Sequence, residues 1–306
     1  MCTVSNGNLS FDFSKIKNRV DFFLSMGFET IEWAPIIGRP SWEELPYLMR
    51  DFSHPESKKP LECLTIGRKN MTAFLRQFYD FLVANQWTAR SIVHVCDEPK
   101  EMNSQQFRIL CGIYRKYLPG IKLIDAIEIF YVQDALDIYV PKSFYYEVNR
   151  NDFENLRDDR NELWFYTCNM PGGKYLNRFL DAPLLNTRLL HWGNFRYNLT
   201  GYLHWGYNQP KDDQDPYRQT SASTGLPAGD THIVYPGTKG PNLSMRYMQM
   251  KAGIEDHTLL TQLAKKDPDA AKVYCFKCFQ AFDDYIRDPH EFDAIHKDLV
   301  HVVDSL

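Results

Sequence analysis

Two adjacent carboxylates carry the clearest chemical signal in the sequence: Asp97 and Glu98, within His94-Val95-Cys96-Asp97-Glu98-Pro99. The apolar run SIVHVC that leads into them reads as a buried strand. Pro99 cannot donate a ladder hydrogen bond, so it ends the strand and is expected to hold Glu98 at extended backbone angles. Side chains alternate along a strand, so both carboxylates reach one pocket only where the strand is ending. Like charge and an apolar wall there raise one pKa, and a carboxyl group that stays protonated near neutral pH can act as an acid. The competing reading makes Asp97 a cap for the following helix or its approach and leaves Glu98 solvated.

Other polar and aromatic residues gather where further strands are expected to end: Glu32-Trp33, Asp125, Glu128, Cys168-Asn169 and Trp205 to Asn208. Aromatic faces above a carboxylate pair suit the apolar face of a sugar ring. The substrate-binding candidates are Trp33, Asp125, Tyr166, Trp192, Trp205, Tyr207 and Asn208. A zinc site from His94, Asp97, Glu98 and His204 is disfavoured, because H-x-x-D-E is not a recurrent ligand spacing, and neither metal nor cofactor is expected. Asp212, Asp213 and Asp215 lack the glycine and distal Glu of a calcium loop and are expected to form a solvated turn. Seven scattered cysteines do not read as a disulfide framework, and Cys275-x-x-Cys278 lies in an amphipathic pattern that suits core packing.

The elements that must position these residues alternate. Ile16, Val20, Phe23 and Leu24 recur at helical spacing over 12–26, and the strand FETIEW follows. Helices over 71–86 and 102–117 lead to the strands SIVHVC and IKLIDAI. A short helix at 132–136 precedes DIYVP, 151–160 precede ELWFYTC, and a helix over 175–196 precedes GYLHWGY. Nearly continuous apolar strands between helices argue for a parallel sheet buried on both faces, an α/β fold. Chemistry at strand ends favours a (β/α) TIM-type barrel over a doubly wound nucleotide fold, and neither G-x-G-x-x-G nor a P-loop occurs. About six strands of the eight are found, so the expectation is a barrel lacking its N-terminal strands. It would occupy 1–265, with a helical C-terminal extension over 266–306 packed on it. The open sheet edge so left makes self-association a possible outcome.

The 306 residues carry 35 Lys and Arg against 39 Asp and Glu, so no broad basic surface is available for nucleic acid. No apolar stretch is long enough for a membrane span, and no signal peptide opens the chain.

Three tracts resemble the catalytic region of glycoside hydrolase family 123 and the related domain of unknown function 4091: HVCDEP; RLLHWGNFRYNLTGYLHWGYNQ; and GDTHIVYPG followed by SMRYMQMKAGIEDHTLL. With FSKIKNRVDFFLSMGFETIEW they cover most of residues 11–265. The resemblance implies a retaining exo-β-N-acetylhexosaminidase, N-acetyl-β-galactosaminides leading, in which the sugar's own 2-acetamido oxygen attacks the anomeric carbon. It would assign Asp97 to the acetamido group and Glu98 to general acid and base catalysis, on a glycan or glycoconjugate ending in an N-acetylhexosamine. Family members carry a β-sandwich ahead of the barrel, so the resemblance also implies a C-terminal part of a longer, exported or periplasmic bacterial protein. The alternative is a carbohydrate-binding or assembly module that keeps the barrel face without turnover.

Overall fold

The computed structural model describes residues 2–41, 45–54, 56–210, 214–221 and 225–306. Asp212 and Asp213 lie outside them; Asp215 accepts from the Tyr217 N–H at 3.0 Å, as a capped polar turn does. The chain divides into two compact units: one runs to Tyr139 and includes Asn155–Asn161, and the other holds Val140–Glu154 and Glu162–Leu306.

The first unit opens with an antiparallel hairpin, β1 (Cys2–Ser5) and β2 (Asn8–Phe11). Its turn residues Asn6 and Gly7 both have positive φ, 50° and 75°, as a tight Asn-Gly hairpin turn demands. Helix α1 (Ser14–Ser25) follows, but it buries only Val20, and Ile16 and Phe23 stay exposed although their spacing matched a core stripe. Strand β3 (Ile31–Trp33) leads into a small antiparallel sheet of β4 (Ile37–Gly38), β5 (Leu48–Met49) and β6 (Leu61–Glu62). Helix α2 (Arg68–Ala84) buries Met71, Leu75, Phe78 and Leu82, one stripe at helical spacing. It delivers the chain to β7 (Ser91–His94), and α3 (Ser104–Tyr117) delivers it to β8 (Lys122–Ile127), buried throughout after its first residue. Strands β3, β7 and β8 are parallel, with Trp33 opposite Val93 and His94 opposite Ile124, and β3 is the edge strand. Residues 132–136, expected as a helix, form turns before β9 (Ile138–Pro141), where the chain passes to the second unit.

The second unit continues with α4 (Ser143–Val148) and α5 (Arg150–Glu154). ELWFYTC, expected as one strand, splits into β10 (Glu162–Leu163) and β11 (Phe165–Tyr166) around Trp164, against whose ring Gly201 is pressed. Helix α6 (Leu184–Tyr197) starts later than expected because Pro183 precedes it at non-helical angles. Strand β12 (Tyr202–Leu203) pairs in parallel with β11. A second hairpin, β13 (Val234–Tyr235) and β14 (Asn242–Leu243), leads to α7 (Met245–Ala264). Helix α8 (Pro268–Cys278), a hairpin of β15 (Phe279–Ala281) and β16 (Asp284–Tyr285), and α9 (Pro289–Asp304) complete the unit. Residues 266–306 thus share a unit with α6 and α7.

The fold is mixed α/β with a parallel sheet and helices. Among the described residues no sheet closes on itself, so the closed part of the barrel expectation is not seen.

Candidate active site

Strand β7 stops at His94, and the next residues turn out of the sheet to present the acid pair. The Cys96 N–H donates to Asp125 Oδ2 at 2.9 Å, which anchors this turn to β8. Asp125, fully buried, uses its other oxygen on His94 Nε2 at 3.0 Å, while His94 Nδ1 lies 3.0 Å from Glu32 Oε1 on β3. Burial opposes charge on His94, but Asp125 first and then Glu32 overcome it and hold the imidazole well above its ordinary pKa. With both ring nitrogens donating, His94 is an imidazolium clamped between two carboxylates. His94, Asp97 and Asp125 come close enough to share a metal ion, yet His94 and Asp125 already spend their ligand atoms on each other. Asp125, expected to touch substrate, is instead a buried support beneath the turn.

Asp97 is exposed, and Glu98 is mostly covered, its side chain 13% exposed. Burial, then the neighbouring charges of Asp125 and Glu98, push the Asp97 carboxyl up to about 6, against the pull of His94 and Arg39. Because Asp97 is open to solvent, the crowding of carboxylates is the firmer of these causes. Glu98 departs from expectation: its φ is 43°, in the left-handed region, not extended. A non-glycine residue there costs about 1–2 kcal/mol. Arg39, just after β4, reaches this turn: its Nη1 donates to the Glu98 carbonyl at 2.8 Å and its Nη2 donates to the Asp97 carbonyl. Beyond the pair, Lys100 Nζ lies 3.9 Å from Glu98 Oε2 and hydrogen-bonds Glu128 Oε2. Arg39 and Lys100 carry no periodic or motif signal of their own, although Lys100 directly follows the D-E-P triplet.

The aromatic candidates separate by exposure. Trp33 is half-buried in the first unit, its indole N–H donating to Ser91 Oγ at 2.9 Å and its ring edge-on to Phe78 of α2. In the second unit Trp192 is 0% exposed and donates to Asp256 Oδ2 at 3.0 Å, a core position that offers no face to a sugar. Tyr166 is 3% exposed with the Lys142 ammonium 5.3 Å from its ring centre. Trp205 and Tyr207, 40% and 48% exposed, are the open rings, and Asn208, also exposed, bridges to His232. Trp205 is oriented by its indole N–H, 3.1 Å from Asp230 Oδ2. His204 Nδ1 receives Arg178 Nη2 at 2.7 Å and the Gly206 N–H at 3.0 Å, which leaves Nε2 as the protonated nitrogen, 3.3 Å from Asp230 Oδ1. Burial pushes His204 down to about 4, so it is neutral.

The family model of the glycoside hydrolase 123 catalytic domain matches residues 1–263. The chain belongs to glycoside hydrolase family 123. A family 123 glycoside hydrolase from Clostridium perfringens, whose structure addresses glycolipid glycan hydrolysis, superposes with a TM-score of 0.74 at 17% identity, over 99% of this chain and 58% of that one. The chain thus spans under two thirds of that relative, and the likeness is one of fold. A family 5 mannosidase from Rhizomucor miehei aligns over 94% of this chain and 89% of its own, at 10% identity and a TM-score of 0.33. No curated protein matches the chain.

Two of the tracts that resemble family 123 have structural work to do. Gly229 of GDTHIVYPG has φ 77°, and a Cβ there would lie 2.6 Å from Arg246 Nη1. The buried Arg246 guanidinium at the start of α7 donates to the carbonyls of Arg178, Gly229 and His232, at 2.7, 2.9 and 2.7 Å. Gly253 of GIED lets α7 approach α6, since a Cβ would sit 2.3 Å from the Arg188 carbonyl. One turn on, Asp256 takes the Arg188 guanidinium through Nε and Nη2 at 2.6 and 2.7 Å, the Trp192 indole, and His296 of α9.

Proposed function

We propose that the chain is a retaining exo-β-N-acetylhexosaminidase, with N-acetyl-β-galactosaminides as substrate, working through the sugar's own acetamido group. Family membership supports a glycosidase. The observation that carries the finer reading is the geometry of the pair: Asp97 and Glu98 are adjacent just beyond the end of β7, Asp97 exposed and Glu98 mostly covered and flanked by Lys100, whereas the upward push on Asp97 works against its ionised role. In this reading the acetamido oxygen attacks the anomeric carbon while Glu98 gives its proton to the departing glycosidic oxygen. The ionised Asp97 accepts from the acetamido N–H and stabilises the positive charge of the oxazolinium ion that forms. Glu98, now a carboxylate, takes a proton from the water that attacks the same carbon and reopens the ring, so configuration is retained. For the second unit taken by itself, the open rings of Trp205 and Tyr207 and the side chain of Asn208 are proposed as sugar contacts. Helices joining parallel strands in the first unit support a barrel of (β/α) type.

Hydrolysis of an aryl N-acetyl-β-galactosaminide tests this. Glu98→Gln is expected to lower kcat/KM by about 10²–10⁴. Asp97→Asn is expected to lose turnover while keeping KM, and the matching aryl β-galactoside, without an acetamido group, is expected to be inert. Equal rates for the wild type and Glu98→Gln would sink the assignment. Tight sugar binding without turnover in the wild type would favour the carbohydrate-binding module.

A further inference from the structure

The left-handed backbone of Glu98 needs a cause, because every local preference opposes it. Glu98 is not glycine, and the Pro99 that follows disfavours helical angles and draws the preceding residue to extended ones. In an extended segment successive carbonyls point to opposite sides. Here the carbonyls of Asp97 and Glu98 both meet the Arg39 guanidinium, Glu98 O at 2.8 Å from Nη1 and Asp97 O on Nη2. A planar fork with donors at fixed spacing holds two such oxygens in one geometry, whereas a lysine offers rotatable donors from a single nitrogen on a flexible stem and fixes that geometry less well.

We propose that Arg39 is a positioning residue for the acid pair: its two-pronged grip on the Asp97 and Glu98 carbonyls fixes the turn that aims both carboxylates. The inference rests on reading Asp97 and Glu98 as the catalytic pair. Loss of the guanidinium removes this two-point hold and favours a shift of Glu98 toward the extended angles Pro99 prefers, which moves its carboxylate relative to the Lys100 ammonium, 3.9 Å distant in the gripped turn. A displacement of about 1 Å at a catalytic group costs up to about 10²-fold in rate. Arg39 also lies among the cations that draw the Asp97 pKa down, so its loss has a second, electrostatic signature.

The test compares the wild type, Arg39→Ala, Arg39→Lys and Glu98→Gln on the aryl N-acetyl-β-galactosaminide. Arg39→Ala is expected to lose about 10–100-fold in kcat with KM within about twofold. Arg39→Lys should fall between it and the wild type, and guanidinium ion at low millimolar concentration should restore part of the activity of Arg39→Ala but none to Glu98→Gln. The acidic limb of the kcat/KM profile is expected to move to higher pH in Arg39→Ala. If Arg39→Ala fails to fold, Arg39→Lys with a wild-type melting temperature and a lowered kcat carries the point. Wild-type kcat in either Arg39 variant, or a raised KM at unchanged kcat, would overturn the inference while leaving the acid pair in place. Equal rates for Glu98→Gln and the wild type would instead remove the reading on which it rests.

Discussion

In the proposed mechanism an ionised Asp97 stabilises a cationic oxazolinium centre, and the crowding of carboxylates around it makes that ionisation costly. On that proposal Asp97 works as an anion, and its carboxyl is pushed up to about 6, so activity is expected to fall as pH falls through about 6. A pH–rate profile that stays level from about pH 5 to about pH 7 would contradict this. The sign for stability is the reverse. The folded chain keeps the Asp97 proton to about 6, whereas the unfolded chain loses it near 3.8, so the contribution to stability is full below that value and lost as pH rises through about 6. Asp97→Asn is therefore expected to melt at a higher temperature than the wild type at neutral pH while losing turnover. At this scale the sequence is partly transparent. Two adjacent acids at an abrupt strand end are visible as a pair, but the local rule for a residue before proline predicts the wrong angles for Glu98. Arg39, far along the chain, contacts the turn and is proposed to override it, and no spacing rule anticipates such a contact.

At the scale of elements, the glycines of the family tracts are where helices and loops come closest. A Cβ at Gly253 would meet the backbone carbonyl of Arg188, which cannot swing away, so Gly253→Ala is expected to cost about 1–3 kcal/mol through displacement of α7 from α6. Gly229→Ala adds a positive φ to a collision with the Arg246 guanidinium, and a loss at least as large is expected. Urea denaturation of the two variants checks both, and a change within about 0.5 kcal/mol would show that the packing relaxes freely. Helices α2 and α3 were readable because their apolar residues repeat on the face that is buried, Met71, Leu75, Phe78 and Leu82 in α2. The same pattern misleads in α1, where Val20 alone is buried, because periodicity records which residues share a face and not what covers that face. The Asn6-Gly7 hairpin carried a turn signal that its weakly alternating, mostly exposed strands did not reinforce.

At the scale of the molecule, alternation of helix and strand identified the α/β class, and the parallel sheet and helices of the structure agree with it. The count of strands was less legible: ELWFYTC and GYLHWGY are apolar enough for full strands but contribute only two-residue pairings. Their aromatic side chains pack against Gly201 and neighbouring rings instead of extending a ladder. The division into two units also gives each its own set of hidden thiols. Cys63, Cys96 and Cys111 are buried in the first and Cys275 and Cys278 in the second, each with its thiol pushed well up by burial, whereas Cys2 and Cys168 are partly accessible. A thiol reagent is expected to label Cys2 and Cys168 at once and the other five only as the chain opens. Mass spectrometry of partly labelled protein then reads, without any engineered probe, whether the halves of the polypeptide come apart in one event or in two: joint appearance of all five adducts marks a single cooperative transition, and separate groups of three and two mark independent ones.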